Sequence, residues 1–167
     1  MSYLKSGTSV INPKHYCQSG AKLQPIEVIR YLNADLGNAW KYCTRYMYKN
    51  TPGTDLGKAI WYMDDFRANW IDVNDESMFI HKIPQDIVEK MLKFVDAEPR
   101  QEVKNLFNQI IIIATQNRIL DTKEFDLTRY ELLQFAKTFP DADLKDLEWG
   151  KYAYNIKCKS SPIKIQA

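Results

Sequence analysis

The chain has 167 residues, enough for one domain or two small ones, and its 23 basic and 21 acidic side chains leave a net charge of only +2. That balance argues against a general nucleic-acid coat, so nucleic acid is an unlikely partner, and 45% hydrophobic with 13% aromatic residues excludes a disordered chain. Cys17, Cys43 and Cys158 form no CxxC pair, the N-terminus lacks an apolar signal core, and the run Ile110–Ile113 is too short to span a bilayer. A soluble, cytoplasmic protein with reduced thiols and no membrane partner is expected.

In chain order, residues 1–23 read as an irregular arm with a turn at Asn12-Pro13. Pro25 suits the first turn of a helix over PIEVIRYLNA. Asn33 or Asp35 caps a second helix, from Leu36 to Lys49. Asn50 to Gly53 breaks it, and Thr54 or Asp55 caps a third helix reaching Trp70. Residues 71–82 read as a connector. Pro84 opens an amphipathic helix, and Pro99 opens a long one towards Leu120. Its Ile110–Ile113 run predicts a segment buried on all sides. Thr128 caps a helix that Pro140 ends, and a short turn fits Leu144–Trp149. Short edge strands fit only near Met78–Ile83 and Asn155–Ile165. The expected fold is mainly α: a helical bundle with an irregular N-terminal arm. It divides into a helical domain at 1–70, the connector at 71–82 and a C-terminal helical region at 83–167.

On a helical wheel, Leu36, Trp40, Cys43 and Met47 form the apolar stripe of the second helix. Asn38, Lys41, Arg45 and Lys49 fall on the opposite side, within an arc of about 80°. Three cations in one row repel each other at helical spacing, and an anion would relieve them. In the third helix Leu56, Ala59, Ile60, Met63, Phe66 and Trp70 make the stripe. Asp55, Lys58, Tyr62, Asp65 and Asn69 line a polar row that can neutralise itself or reach Arg45 and Lys41. Trp61 belongs to neither row, and an exposed Trp needs a partner to cover it. If the two helices form an antiparallel hairpin, the rows line one groove. Lys and Arg would meet phosphate, Asn38 and the carboxylates would meet sugar or base, Tyr62 would stack, and His15 and Tyr16 would close over the ligand. The plain alternative is a solvated charged face held by ordinary salt bridges.

Other chemistry has less support. GTDLGKA at Gly53–Ala59 departs from a Walker A loop in its glycine spacing and in Ala59, which stands where Ser or Thr would hold Mg²⁺. His15-x-Cys17 lacks a second ligand pair and His81 is isolated, so no metal site is expected. Asp55, Asp64 and Asp65 suggest Mg²⁺, but Asp64 points away on the wheel. No nucleophilic triad is evident.

The blocks NPKHY, IEVI, GNAWKYCTRYMYK and DLGKAIWYM resemble a small domain family found mainly in phages and prophages, whose members are described as a domain of unknown function or as phage nucleotide kinase. The residues that match its pattern are Asn12, Pro13, His15 and Tyr16, then Glu27, Val28 and Ile29. They continue with Gly37, Asn38, Lys41, Tyr42, Arg45 and Lys49, and with Asp55, Leu56, Lys58, Ala59, Trp61 and Tyr62. The match spans residues 12–66, with a shorter connection between Glu27 and Gly37 than the family shows; residues 71–167 match nothing recognised. The resemblance implies a nucleotide or nucleotide-derived signal as partner, held by His15, Tyr16, Asn38, Lys41, Arg45, Lys49, Asp55, Lys58 and Tyr62. It implies a role in nucleotide metabolism or in sequestering a host immune signal, in the host cytoplasm. Alternatives are a nucleoside-monophosphate kinase, with Mg²⁺ as cofactor held by Asp55 or Asp65, and an inhibitor that captures a host protein through Trp61. A homo-oligomer would also cover Trp61.

Overall fold

The structure, a computed structural model, describes residues 15, 20–75, 77, 82–116 and 121–147. These are mainly helical and include no strand. The expected strand at 155–165 and most of that at 78–83 lie outside the described residues, as do Tyr16, Cys17 and Cys158.

Helix α1 is one turn, Ile26–Ile29, after Pro25. It stops short of the expected PIEVIRYLNA helix because Asn33 turns extended to cap the next one. Its Oδ1 accepts from the Leu36 amide at 2.9 Å, worth about 1 kcal/mol. Helix α2, Ala34–Arg45, buries Leu36, Ala39, Trp40 and Cys43 almost completely. Met47, expected on that stripe, lies beyond the helix end and is 54% exposed. Trp40 anchors the bundle, edge-on to Phe94 at 5.7 Å and against Phe107 at 4.3 Å.

Helix α3, Pro52–Phe66, returns beside α2 and runs on through a π-helical turn, Arg67–Ile71. Neither Thr54 nor Asp55 caps it as expected. The cap comes from far along the chain: the Asp141 carboxylate accepts from the Gly53 and Thr54 amides at 3.0 and 2.9 Å. The contact is close, since a Cβ on Gly53 would stand 2.7 Å from the Ala142 side chain and 2.9 Å from its backbone. These glycines therefore serve packing; Gly57 likewise faces Leu144.

Helices α4 (Gln85–Ala97) and α5 (Gln101–Gln116) follow, then α6 (Thr122–Ala136) and a 3-10 turn at Lys145–Leu147. Asp121, not Thr128, caps α6; Thr128 sits mid-helix, where its hydroxyl accepts from the Gln109 amide. Ile110 and Ile113 are fully buried, but Ile111 and Ile112 are half-buried, so α5 is amphipathic and not buried all round. Asp64 of α3 is buried and takes two bonds from Arg129 of α6, at 2.8 and 2.9 Å. Arg129 also donates to the Leu147 carbonyl. The buried apolar cluster runs from Val28 to Leu147, across the expected connector, so Phe94, Phe107 and Leu144 complete the core that α2 and α3 begin. None of the described helices is long and apolar enough to cross a membrane.

Gly53→Ala forces the 141–142 segment off the α3 N-terminus. The expected loss is about 2–4 kcal/mol, combining overpacking with loss of the cap. Asp141→Ala removes the cap alone and costs about 1 kcal/mol. Urea unfolding of both variants checks the order; equal losses would contradict it.

Candidate functional site

Helices α2 and α3 lie antiparallel, and one interaction sets their register. Arg45 Nε and a terminal nitrogen donate to the two oxygens of Asp55, both at 3.0 Å. Arg45 is 8% exposed and Asp55 1%. The expected cationic row thus does not face open water throughout. It lies along the seam between the helices, and Arg45 is the buried member.

From that pair the seam runs outward in steps. Tyr42 stacks on Tyr62 with ring centres 6.0 Å apart and planes 17° from parallel. Three cations gather over the Tyr42 ring: Lys41 at 4.7 Å, Arg45 at 4.6 Å and Lys58 at 5.4 Å. Cation–π attraction of this kind contributes about 0.5–1 kcal/mol at exposed sites. Lys41 Nζ donates to Asn38 Oδ1 at 2.7 Å, while the Asn38 amide donates to the Ala34 carbonyl. Among the described residues neither Lys41 nor Lys58 has a carboxylate partner. Burial, Arg45 and Lys58 hold the Lys41 ammonium below its usual pKa.

At the far end of the seam Asp35 of α2 meets Asp65 of α3. Burial, and then the charge and hydrogen bond of Asp65, raise the Asp35 carboxyl to about 6. Tyr62 lies beside this pair, and burial, Tyr42 and both carboxylates raise its pKa. At the opposite end, His15 of the arm sits in the field of Arg45, Lys49 and Asp55. Burial and the two cations push its pKa down, leaving a neutral imidazole at pH 7.

The structure therefore brings His15, Asn38, Lys41, Arg45, Asp55, Lys58 and Tyr62 to one seam. Lys49 is exposed past the end of α2, within the field at His15. Tyr16 lies outside the described residues. Trp61 is not the exposed aromatic that the sequence suggested: it is half-buried against the core and edge-on to Tyr62 at 5.0 Å. Asp55, Asp64 and Asp65 do not converge. Asp55 faces Arg45, Asp64 faces Arg129, and among the described residues no three acidic, His or Cys side chains group as a metal would need.

Sequence reasoning passed over two site residues. Tyr42, the ring at the centre of the cations, sits one residue from the polar row. Asp35 was read as a candidate cap. Register was the missing signal: Asp35 lies ten residues before Arg45, and Asp65 ten after Asp55, so an antiparallel Arg45–Asp55 pair places the two acids opposite each other.

A family model described as a protein of unknown function (DUF3310) matches residues 10–64. That is about a third of the chain, and it covers residues 10–23 of the arm, α1, α2 and most of α3. No curated protein and no solved structure matches the chain.

Two predictions follow the electrostatics. Folding favours protonated Asp35, a contribution complete below about pH 4 and lost as pH rises through about 6. Asp35→Asn, fixed in the neutral form, should be more stable than the parent at pH 8 and lose that advantage at pH 4. Urea melts at both pH values test this, and an equal advantage at both would refute it. Asp55→Ala strands the buried Arg45 charge and should cost about 3–5 kcal/mol, read from the shift in the urea midpoint.

Proposed function

We propose that the chain binds a nucleotide or nucleotide-derived signal along the α2–α3 seam, with its phosphate on Lys41 and Lys58. The supporting observation is that two lysines from different helices meet over one tyrosine with no carboxylate partner among the described residues. Their mutual repulsion is a cost the fold carries, and perturbed charges of this kind concentrate at functional sites. Arg45 is neutralised by Asp55, so the two uncompensated charges match the dianion of one phosphomonoester. Tyr42 and Tyr62 offer flat faces beside the phosphate position, and Asn38 fixes the Lys41 head. The resemblance of the NPKHY, GNAWKYCTRYMYK and DLGKAIWYM blocks to a phage family favours a phage protein that manages nucleotide pools or sequesters a host signal.

Phosphoryl transfer between nucleotides is the second reading. It draws on Lys49, exposed past the end of α2 beside His15, where a second phosphorylated ligand would lie. Positioned cations supply much of what such a reaction needs. Capture of a host protein through Trp61 loses its motive, since Trp61 is half-covered by its own chain.

Isothermal titration against mono-, di- and cyclic nucleotides tests binding. Lys41→Gln and Lys58→Gln should each weaken it about 10- to 100-fold, the value of one charge-assisted bond. Lys93→Gln, on an exposed face of α4, should leave it unchanged. An anion restores the depressed Lys41 pKa, so binding at alkaline pH should take up protons, seen as buffer-dependent heats. Absence of binding by every nucleotide at millimolar concentration would overturn the proposal. Product formation from ATP and a nucleoside monophosphate, lost in Lys58→Gln, would favour the second reading.

A further inference from the structure

Resting on the nucleotide-binding reading, we infer that Asp35 and Asp65 form the specificity end of the same site, accepting the N–H edge of the nucleobase while Lys41 and Lys58 hold the phosphate. Outward from the Arg45–Asp55 pair the seam carries two groups of like charge: two ammonium groups without a carboxylate partner among the described residues, next to that pair, and two carboxyls in contact at the far end. Neither carboxyl has a cationic partner among the described residues. A sequence selected for stability alone would exchange one member of each pair and gain two salt bridges in place of two repulsions. The same mismatch in both groups of one hairpin points to a single ligand of opposite polarity, anionic at one end and hydrogen-bond-donating at the other.

Register fixes the length of that ligand. Asp35 lies six positions before Lys41 and Asp65 seven after Lys58, which is about 9–10.5 Å along the helix axes. That is the reach from a 5′-phosphate to the far edge of its base. Tyr62 lies between Lys58 and Asp65 and stacks on Tyr42 beside the lysines, near-parallel rings that suit a flat heterocycle over a flexible chain. Carboxylates accept readily from the amino and imide N–H groups of bases. A bare divalent cation would meet two carboxyls and no third acidic, His or Cys ligand among the described residues.

The test titrates the full chain, with Asp35→Asn and Asp65→Asn, against GMP, CMP, UMP and ribose 5-phosphate, which has the phosphate but no base. Ribose 5-phosphate measures the cationic end alone. In the parent the best nucleotide should bind at least about tenfold tighter than ribose 5-phosphate, about 1.4 kcal/mol. Either Asn variant should erase that preference by weakening the nucleotide and leaving ribose 5-phosphate unchanged. The preference in the parent should fall as pH drops from 8 to 5, where Asp35 takes up its proton, and stay flat in Asp35→Asn. The phosphate's own ionisation cancels in the ratio. Nucleotide affinity unchanged in both variants, or equal loss for ribose 5-phosphate, would overturn the inference and leave the phosphate site standing. If the parent binds none of the four probes the inference fails, and the nucleotide-binding reading fails with it only where the di- and cyclic nucleotides also do not bind.

Discussion

The ion pair between Arg45 and Asp55 governs the structure around the site. Both groups are almost fully buried, so they tolerate no other partner geometry: slide α3 by one turn and Arg45 loses both bonds while Asp55 keeps an unsolvated charge. Such pairs contribute little net stability, but they specify one register against its neighbours. Here that register sets three further contacts at once, because Arg45 follows Asp35 by ten positions and Asp65 follows Asp55 by ten. The tyrosine stack, the lysine pair and the carboxyl pair all follow from it.

The C-terminal half acts on the seam from behind. Asp141 fills the N-terminus of α3, where oriented amides would otherwise attract an anion. The helix end is thereby closed to any other anion. Arg129 then ties Asp64, on the back of α3, to the Leu147 carbonyl. Burial pushes the Asp64 carboxyl up and the two arginine bonds oppose it, so this clamp holds only while both partners are present. Helix α3 is gripped at its start by Asp141 and near its end by Arg129. The lysine and tyrosine on its exposed side are therefore carried on a rigid element, which is what a preorganised binding site requires.

Much of the fold was legible because it rests on local chemistry. Asn33 was one of two caps expected for α2, and the stripes from Leu36 to Cys43 and from Leu56 to Phe66 are buried; the break expected at 50–53 falls instead at 46–51, with Pro52 and Gly53 opening α3. Helix ends set by distant partners were not legible. Nothing near Gly53 announces that its cap stands at position 141, and nothing near Thr128 says that Gln109 takes its hydroxyl and makes it an interior residue. Met47 failed for a related reason: periodicity carries a stripe past the point where the chain turns. For the site, helical spacing grouped the cations, yet it could not say which of them faces a carboxylate. Arg45 was indistinguishable from Lys41 until the antiparallel register chose Asp55 for one and not the other.

That choice carries physical meaning. Arginine, with its planar fork, suits a dry bidentate pair, whereas lysine keeps its head hydrated and mobile. The seam uses each accordingly, with arginine locking the helices where water is excluded and the lysines standing over the Tyr42 ring nearer the surface. The Tyr42 ring gives both lysines a favourable face in the absence of an anion, which moderates their repulsion without neutralising it. A carboxylate in that position would have stabilised the free protein more and closed the site. The fold instead places Asp35 six positions before Lys41 and Asp65 seven after Lys58, opposite one another, and so keeps the positive and negative groups of the seam apart.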